Sequence, residues 1–278
     1  MMTRQKKHQG PIGIFDSGVG GLSVFREVRR QLPEEDLIYI ADQAHVPYGN
    51  RSREQVLGFS DGIVRYLISK RTKLVIIACN TASAVALADM RKEYPSLPFV
   101  GMEPAVKPAA AETSSGVVGV LATPATFQGD LYASTVERFA RGVKIVQDTC
   151  PGLVKQIEGG EIDSPETRAI LKRALEPMLE QGVDEVVMGC THYPFVIPLI
   201  KEIVGEGVAV IDPAPAVARQ AGRLLTKFDL HQRRKKEGQL SFYTTGETQG
   251  LDKLLMDLLG LDSHSKALNW AEGNLRDR

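Results

Sequence analysis

Two of the three cysteines in this 278-residue chain lie in matching sequence contexts. Cys79 follows the apolar run KLVIIA and precedes an Asn-Thr pair, and Cys190 follows DEVVMG and precedes a Thr-His pair. Each thiol is therefore expected where a buried strand ends and a helix begins. The positive end of a helix dipole favours the thiolate there, although a cysteine beside an apolar strand is more often structural. The matching contexts, rather than either cysteine alone, indicate a pair of acid/base groups.

Two similar acid/base groups on opposite faces of one carbon suit the inversion of a stereocentre. A thiolate removes the α-proton from one face while the opposite thiol supplies a proton to the other, and the roles exchange for the reverse substrate. His192 either adds a general acid or base near neutral pH or is satisfied within the fold. If the substrate is an amino acid, removal of its α-proton creates negative charge, and hydrogen-bond donors aimed at its α-carboxylate must stabilise that charge. Suitable donors are Ser17, Asn80, Thr81 and Thr191.

Two glycine-containing segments in the first half carry further candidates. FDSGVGG places Asp16 in a tight turn between a predicted strand and a predicted helix, whose free N–H groups could meet an anion. Its glycines fit neither the dinucleotide fingerprint nor the P-loop. Asp16 therefore either caps the turn or serves an amine or a proton relay to a cysteine. In HVPYGNRS, Tyr48 and Gly49 either close over a ligand or form an ordinary loop.

Three residues of the second half are weaker candidates. Thr123, in TPAT, offers a hydroxyl at a helix start, where N-capping is the simpler interpretation. Glu158 either assists an acid/base group indirectly or is a surface carboxylate. Cys150 has no counterpart in the first half, so we expect it to be structural.

Short apolar runs alternate with helix-like segments along the chain, which predicts an α/β fold with parallel sheets covered by helices on both faces. The pattern is duplicated, with predicted strands ending near Asp16, Asp42 and Cys79 in the first half and near Thr123, Asp148 and Cys190 in the second. Ligands of open α/β sheets bind beyond such carboxyl ends. We expect two similar domains, one formed by residues 1–102 plus 213–278 and the other by 103–212. Asn80 and Thr81 are also good helix N-caps.

The composition restricts the class of partner and the location. Lys plus Arg equal Asp plus Glu, which argues against nucleic acid, and no apolar run approaches the roughly 20 residues of a membrane span. The basic N-terminus has no apolar h-region, and three cysteines are too few for a disulfide scaffold, so we expect a cytoplasmic protein. Scattered Cys and His residues argue against zinc. HQRRKKEGQ is predicted to be a solvated turn, and the chain from about Ser263 a surface helix or tail.

The segments IGIFDSGVGGLSV, ADQAHVPYG, IACNTASA and GCTHYP occur in this order. With them the chain resembles the glutamate racemases of the aspartate/glutamate racemase superfamily, from about Pro11 to Leu259. The resemblance implies two α/β domains related by a pseudo-two-fold axis, with the active site between them and no cofactor or metal. It also implies a homodimer that supplies D-glutamate, made from L-glutamate, for peptidoglycan synthesis.

The resemblance further implies individual roles. Cys79 and Cys190 would be the two proton donors and acceptors. Asp16 would assist Cys79, and His192 would assist Cys190 together with Glu158. The implied substrate contacts are Asp16, Ser17, Tyr48, Gly49, Asn80, Thr81, Thr123, Thr191 and His192.

The residues by themselves leave other functions open. A racemase for aspartate or another amino acid would use the same thiol pair. An α/β ligand-binding or redox protein would carry the cysteines as structural residues. A cysteine hydrolase would depend on one cysteine only.

Overall fold

The computed structural model describes residues 10–234 and 236–278. These residues form two compact units. The first comprises the described residues up to Met102 together with Ala214–Arg278, and the second comprises Glu103–Pro213. Both consist mainly of parallel strands flanked by helices, which confirms the predicted α/β class. In the described part of the chain, no helix is long and apolar enough to cross a membrane.

Strands and helices alternate along most of the described chain. The strands are β1 Ile12–Asp16, β2 Leu37–Ala41, β3 Leu74–Ile77, β4 Phe99–Gly101, β5 Val117–Ala122, β6 Lys144–Asp148, β7 Glu185–Gly189, β8 Ala209–Ile211, β9 Leu240–Thr244, β10 Ser265–Ala271 and β11 Asn274–Asp277. The helices are α1 Leu22–Gln31, α2 Arg53–Ser69, α3 Asn80–Glu93, α4 Val106–Glu112, α5 Pro124–Phe127, α6 Asp130–Phe139, α7 Leu153–Glu158, α8 Pro165–Glu180, α9 Ile197–Val204, α10 Ala214–Lys227 and α11 Thr248–Leu259. Two 3-10 turns span Tyr48–Asn50 and Tyr193–Val196.

The two sheets share a four-strand order. The first unit has the order β11-β10-β9-β2-β1-β3-β4, and the second has β6-β5-β7-β8. The segment β2-β1-β3-β4 thus has the same order as the whole second sheet, with parallel pairing throughout. Cys79 follows the third strand of the first set, and Cys190 follows the third strand of the second. The duplicated sequence pattern therefore corresponds to a duplicated topology.

The central strands are buried along their whole length because helices cover both faces. All residues of β1, β2, β3 and β7 are buried, which explains their near-continuous apolar sequences.

Local sequence also fixes where helices begin. Ser52 and Gln55 form a reciprocal capping box at α2, and Ser164 caps α8 with Pro165 at its first position.

The C-terminal prediction was wrong. Instead of a surface helix or tail, the chain after Ser263 forms β10, which pairs in parallel with β9, and β11, which returns antiparallel to β10. The preceding strand β9 was also not predicted. The charged run before it is only partly a solvated turn, because Arg234 is partly buried in an ion pair with Asp36. Lys235 lies outside the described residues.

A buried ion pair lies at the amino ends of the central strands of the first unit. Lys73 Nζ is 2.5 Å from Glu35 Oε2, and the two side chains are 1% and 3% exposed. The backbone N–H of Gln232 donates to the other Glu35 oxygen at 2.9 Å. Because water is excluded, each charge depends on the other for compensation.

We expect Lys73→Met to destabilise the first unit by about 3–5 kcal/mol, because Glu35 is left buried without its cation. Urea unfolding followed by fluorescence measures this, since the single tryptophan, Trp270, lies in the same unit. The control is Arg53→Met, which breaks an ion pair whose side chains are 60% and 44% exposed and should cost at most about 1 kcal/mol. Equal small costs for the two variants would contradict the prediction.

Candidate active site

Cys79 lies at the carboxyl edge of the first sheet and caps its own helix. The residue is 5% exposed and is the N-cap of α3. Its Sγ accepts a hydrogen bond from the backbone N–H of Ala82 at 3.5 Å and lies 4.0 Å from Ser17 Oγ. The expectation that Asn80 or Thr81 would cap this helix was wrong, because the thiol itself takes the free N–H group. The sulfur therefore lies at the positive end of the helix dipole.

Asn80 is buried with an unused side-chain amide. The residue is 4% exposed, and neither Oδ1 nor Nδ2 has a hydrogen-bond partner in the described part of the chain. Buried amides without partners are rare because they forgo their hydration. The neighbouring Thr81 is equally buried. Asn80 therefore has both a donor and an acceptor available for a bound molecule.

Asp16, at the end of β1, organises the turn that follows it. The carboxylate is fully buried, and its Oδ2 accepts hydrogen bonds from the backbone N–H groups of Gly21 at 2.9 Å and Gly18 at 3.4 Å. A Cβ at Gly21 would lie 2.7 Å from Cβ of Asp16, so the turn needs glycine there. These two turn amides are oriented to Asp16, which agrees with the alternative in which this carboxylate caps the turn.

Tyr48 begins the first 3-10 turn and is held by Asp42, the residue directly after β2. Its hydroxyl donates to Asp42 Oδ2 at 2.7 Å, and the tyrosine is 1% exposed. Burial and the nearby charges of Asp42, Cys79 and Asp16 hold the pKa of Tyr48 well above its ordinary value. The phenol therefore stays neutral and keeps its proton. Gly49 follows in the same turn and is half-buried.

In the second unit, Cys190 directly follows β7 and contacts His192, which in turn contacts Glu158. Cys190 Sγ lies 3.7 Å from His192 Nδ1, and His192 Nε2 lies 2.5 Å from Glu158 Oε1. Cys190 and His192 are 5% and 3% exposed. Unlike Cys79, Cys190 is followed by the second 3-10 turn, and the α-helix starts only at Ile197. The two thiols therefore have different polar neighbours.

The charge of His192 follows from these neighbours. Burial opposes protonation of the imidazole, but the hydrogen bonds to Cys190 and Glu158 and the negative charge of Glu158 outweigh it, so the pKa of His192 lies well above its usual value. An imidazolium at this position donates from both ring nitrogens, to the sulfur and to the carboxylate. The imidazolium therefore offers Cys190 Sγ a hydrogen-bond donor whose other ring nitrogen is held by Glu158.

The remaining candidates of the second unit surround this group or cap an element. Thr123 caps α5, accepting from the backbone N–H of Thr126 at 3.3 Å, which is the simpler of the two interpretations of the TPAT segment. Thr191 is 3% exposed. Cys150 is 2% exposed, and burial raises the pKa of its thiol, with the charge of Asp148 adding to the effect. Cys150 is therefore held as a neutral thiol.

Within each unit the structure thus collects a separate set of candidates at one sheet edge. The first set is Asp16, Ser17, Tyr48, Cys79 and Asn80, and the second is Glu158, Cys190 and His192. Sequence reasoning considered Asp42 only as a strand end. Its place six residues before Tyr48, in a polar loop, was the available signal. Among residues 10–234 and 236–278, no three His, Cys, Asp or Glu side chains are grouped so that they could hold a metal ion.

Comparisons with known proteins cover most of the chain. The model of the Asp/Glu/hydantoin racemase family matches residues 12–221. A glutamate racemase of Roseiflexus sp. (strain RS-1) is 49% identical over 246 residues, which are 88% of this chain and 90% of that protein.

Solved structures with the same fold agree with the sequence comparisons. A glutamate racemase isoform from Bacillus anthracis superposes with a TM-score of 0.84 at 31% identity, over 96% of this chain and 99% of that one. The glutamate racemase from Francisella tularensis subsp. tularensis SCHU S4, solved in complex with D-glutamate, gives a TM-score of 0.80 at 30% identity, over 94% and 97% of the two chains. These matches confirm the resemblance that the four sequence segments indicated. The chain therefore belongs to the Asp/Glu/hydantoin racemase family and is an amino-acid racemase, an isomerase with a small-molecule substrate.

Proposed function

We propose that this protein interconverts L-glutamate and D-glutamate with Cys79 and Cys190 as its two acid/base groups and without a cofactor. The observation that carries the proposal is the buried thiol that follows the third strand of each unit, in contact with polar groups of its own. The choice of glutamate is supported by the Roseiflexus relative, named a glutamate racemase, and by the Francisella structure, which contains D-glutamate.

The reaction needs one thiolate and one thiol facing opposite sides of the substrate Cα. In one direction the Cys79 thiolate takes the α-proton, so the Cα–H bond breaks and an S–H bond forms. The electron pair left on Cα is delocalised into the α-carboxylate. Cys190 then donates its proton to the other face, a new Cα–H bond forms, and Cys190 remains as thiolate. The reverse reaction exchanges the two roles, with no net consumption of protons or electrons.

On the Cys190 side, His192 and Glu158 stabilise the thiolate that the reaction produces. The imidazolium donates through Nδ1 to the sulfur, and Glu158 holds the other nitrogen. On the Cys79 side, the backbone N–H of Ala82 donates to the sulfur, and Ser17 and Asp16 lie at the adjoining strand end. Each thiolate thus has donors in place before the proton moves, which lowers the cost of reorganisation.

The proposed substrate contacts are those that the resemblance to glutamate racemases implies. The Asn80 amide is suited to the α-carboxylate, where negative charge develops. The full proposed contact set is Asp16, Ser17, Tyr48, Gly49, Asn80, Thr81, Thr123, Thr191 and His192.

The cellular role follows from the product. D-glutamate would supply the synthesis of peptidoglycan, in the cytoplasm, where the amino acid is available. The first unit and the second unit would be the two domains of the enzyme, and the enzyme would act as a homodimer, as the resemblance to glutamate racemases implies.

We expect Cys79→Ser and Cys190→Ser each to lower the racemisation rate by roughly 10²–10⁴-fold, because serine is a far weaker acid than cysteine near neutral pH. The assay follows loss of optical activity and deuteration at Cα for L-glutamate in deuterated water without added cofactor. L-aspartate serves as the alternative substrate. Cys150→Ser is the control and should retain wild-type turnover.

Retention of activity by either variant would contradict the two-thiol mechanism. A wild-type protein that leaves L-glutamate unlabelled and optically active would overturn the proposed reaction itself. Faster turnover of L-aspartate than of L-glutamate would assign the other substrate.

We expect Glu158→Gln to move the alkaline limb of the kcat/KM profile to lower pH. Glu158 raises the pKa of His192, so its removal lets the imidazolium lose its proton at a lower pH, and the donor to the Cys190 thiolate is lost earlier. Profiles between about pH 6 and 10 measure the shift, with the exposed Glu180→Gln as control. An alkaline limb that stays in place would show that Glu158 does not act through His192.

We expect Asn80→Ala to lower kcat/KM by roughly 10²–10³-fold, because a donor to the developing charge is removed. Its free energy of unfolding should change by less than about 1 kcal/mol, since no hydrogen bond within the protein is broken. Ser83→Ala on the same helix is the matched control. Ser83 Oγ donates to the carbonyl of Ile77 at 2.9 Å and accepts from Met102 N at 2.8 Å, so this variant should lose stability and keep activity. The reverse pattern would exclude a role for Asn80 in catalysis.

A further inference from the structure

Asp42 joins the C-terminal hairpin of the first unit to the turn that carries Tyr48. The carboxylate is fully buried and receives four side-chain donors. Oδ2 accepts from Tyr48 Oη at 2.7 Å and is 2.9 Å from His45 Nδ1, whereas Oδ1 accepts from Thr245 Oγ1 at 2.8 Å and from Trp270 Nε1 at 2.7 Å. A carboxylate offers about four acceptor positions, so this one is saturated and its orientation is fixed.

Trp270 reaches Asp42 from β10, which is separated from β2 by one strand, β9. Strand β10 pairs with β9 only through Ala267, so Trp270 extends beyond the paired region at the carboxyl edge. Its indole packs at 5.8 Å from Phe59 and 5.4 Å from His45 between ring centroids. A Cβ at Gly62 would come within 2.5 Å of the indole Cζ3, so the close seat of Trp270 on α2 requires glycine there.

The packing of Trp270 against Phe59 and His45 holds its indole N–H toward Asp42. Two of the donors to Asp42 come from the turn region itself, and the other two come from the ends of β9 and β10. The latter pair restrains Oδ1 and thereby sets where Oδ2 lies, which is the atom that holds the Tyr48 hydroxyl. Tyr48 in turn lies close enough to Cys79 and Asp16 for their charges to raise its pKa.

We propose that Asp42 and Trp270 are positioning residues for the turn Tyr48–Asn50 and that they set the affinity for the substrate through it. The inference rests on the proposed racemisation of glutamate, because that function makes this turn a substrate contact. In this proposal the turn, which carries neither thiol, binds the ground state and the transition state equally. Loosening it therefore raises KM and leaves kcat nearly unchanged.

Trp270→Phe tests this because the phenyl ring keeps the packing on Phe59 while the donor to Asp42 is lost. We expect KM for L-glutamate to rise about five-fold, the factor that corresponds to one typical hydrogen bond, with kcat within about two-fold of the wild type. A purely structural role would instead reduce the folded fraction, which lowers the apparent kcat and leaves KM unchanged.

Tyr66→Phe is the matched control. It removes the hydrogen bond from Tyr66 on α2 to Asp277 of β11, which is another contact of the same hairpin outside the Asp42 group. KM should stay at the wild-type value in this variant. An equal rise of KM in the control would overturn the proposal, since general loosening of the hairpin would then explain the effect.

A double-mutant cycle with Tyr48→Phe tests the route. If Trp270 acts through Asp42 on Tyr48, Trp270→Phe should raise KM less than about two-fold when the Tyr48 hydroxyl is already absent. Independent, multiplying effects would overturn the inference, and so would an unchanged KM in Trp270→Phe, while the proposed function would stand in both cases. A wild-type protein without glutamate racemase activity would overturn both.

Discussion

Buried carboxylates at the carboxyl edges of the sheets need donors, and much of the local structure supplies them. An ionised carboxylate that is removed from water is costly unless hydrogen bonds replace its hydration. Asp16 accepts from two turn amides, Asp42 is contacted by four side-chain donors from three segments, and the partly buried Glu158 pairs with His192. Each donor fixes the segment that carries it. A substitution of one of these donors would therefore change both the position of the segment and the electrostatic environment of the carboxylate.

The two thiols differ in the hydrogen-bond donors that they contact. Cys79 receives a backbone amide at the start of α3, a neutral donor whose position the helix fixes. Cys190 contacts a side chain that itself carries a proton and a charge, held by a carboxylate. The common strand order provides equivalent places for the two sulfurs, while the loops that follow provide different chemistry. The two units thus share their strand order but differ in the donors that contact each sulfur.

The sequence predicted those parts of the molecule that depend on local pattern. We could predict the near-continuous apolar strands, their alternation with helices and the repeated placement of cysteine after the third strand. The self-capping of α3 by Cys79 was not predicted, because Asn80 has the higher capping propensity and the position is decided by the backbone at the strand end. The network around Asp42 was beyond reach, since Trp270 lies 228 positions away and meets it only through the order of β2, β9 and β10. The C-terminal hairpin was missed for the same reason, as edge strands lack a strong apolar period.

Two thiols with different neighbours can interconvert two enantiomers, but the equal free energies of the enantiomers limit how the difference can affect the kinetics. Enantiomers have the same free energy in water, so kcat/KM must be identical for L- and D-glutamate at every pH. The differing donors of Cys79 and Cys190 cannot alter that ratio. In the proposed mechanism each direction requires one particular cysteine to start as the thiolate, so the donors would alter kcat and KM separately for each enantiomer. Under the proposed two-thiol mechanism, the unequal donors of Cys79 and Cys190 would therefore affect kcat and KM for each enantiomer and leave the ratio of the two kcat/KM values at one.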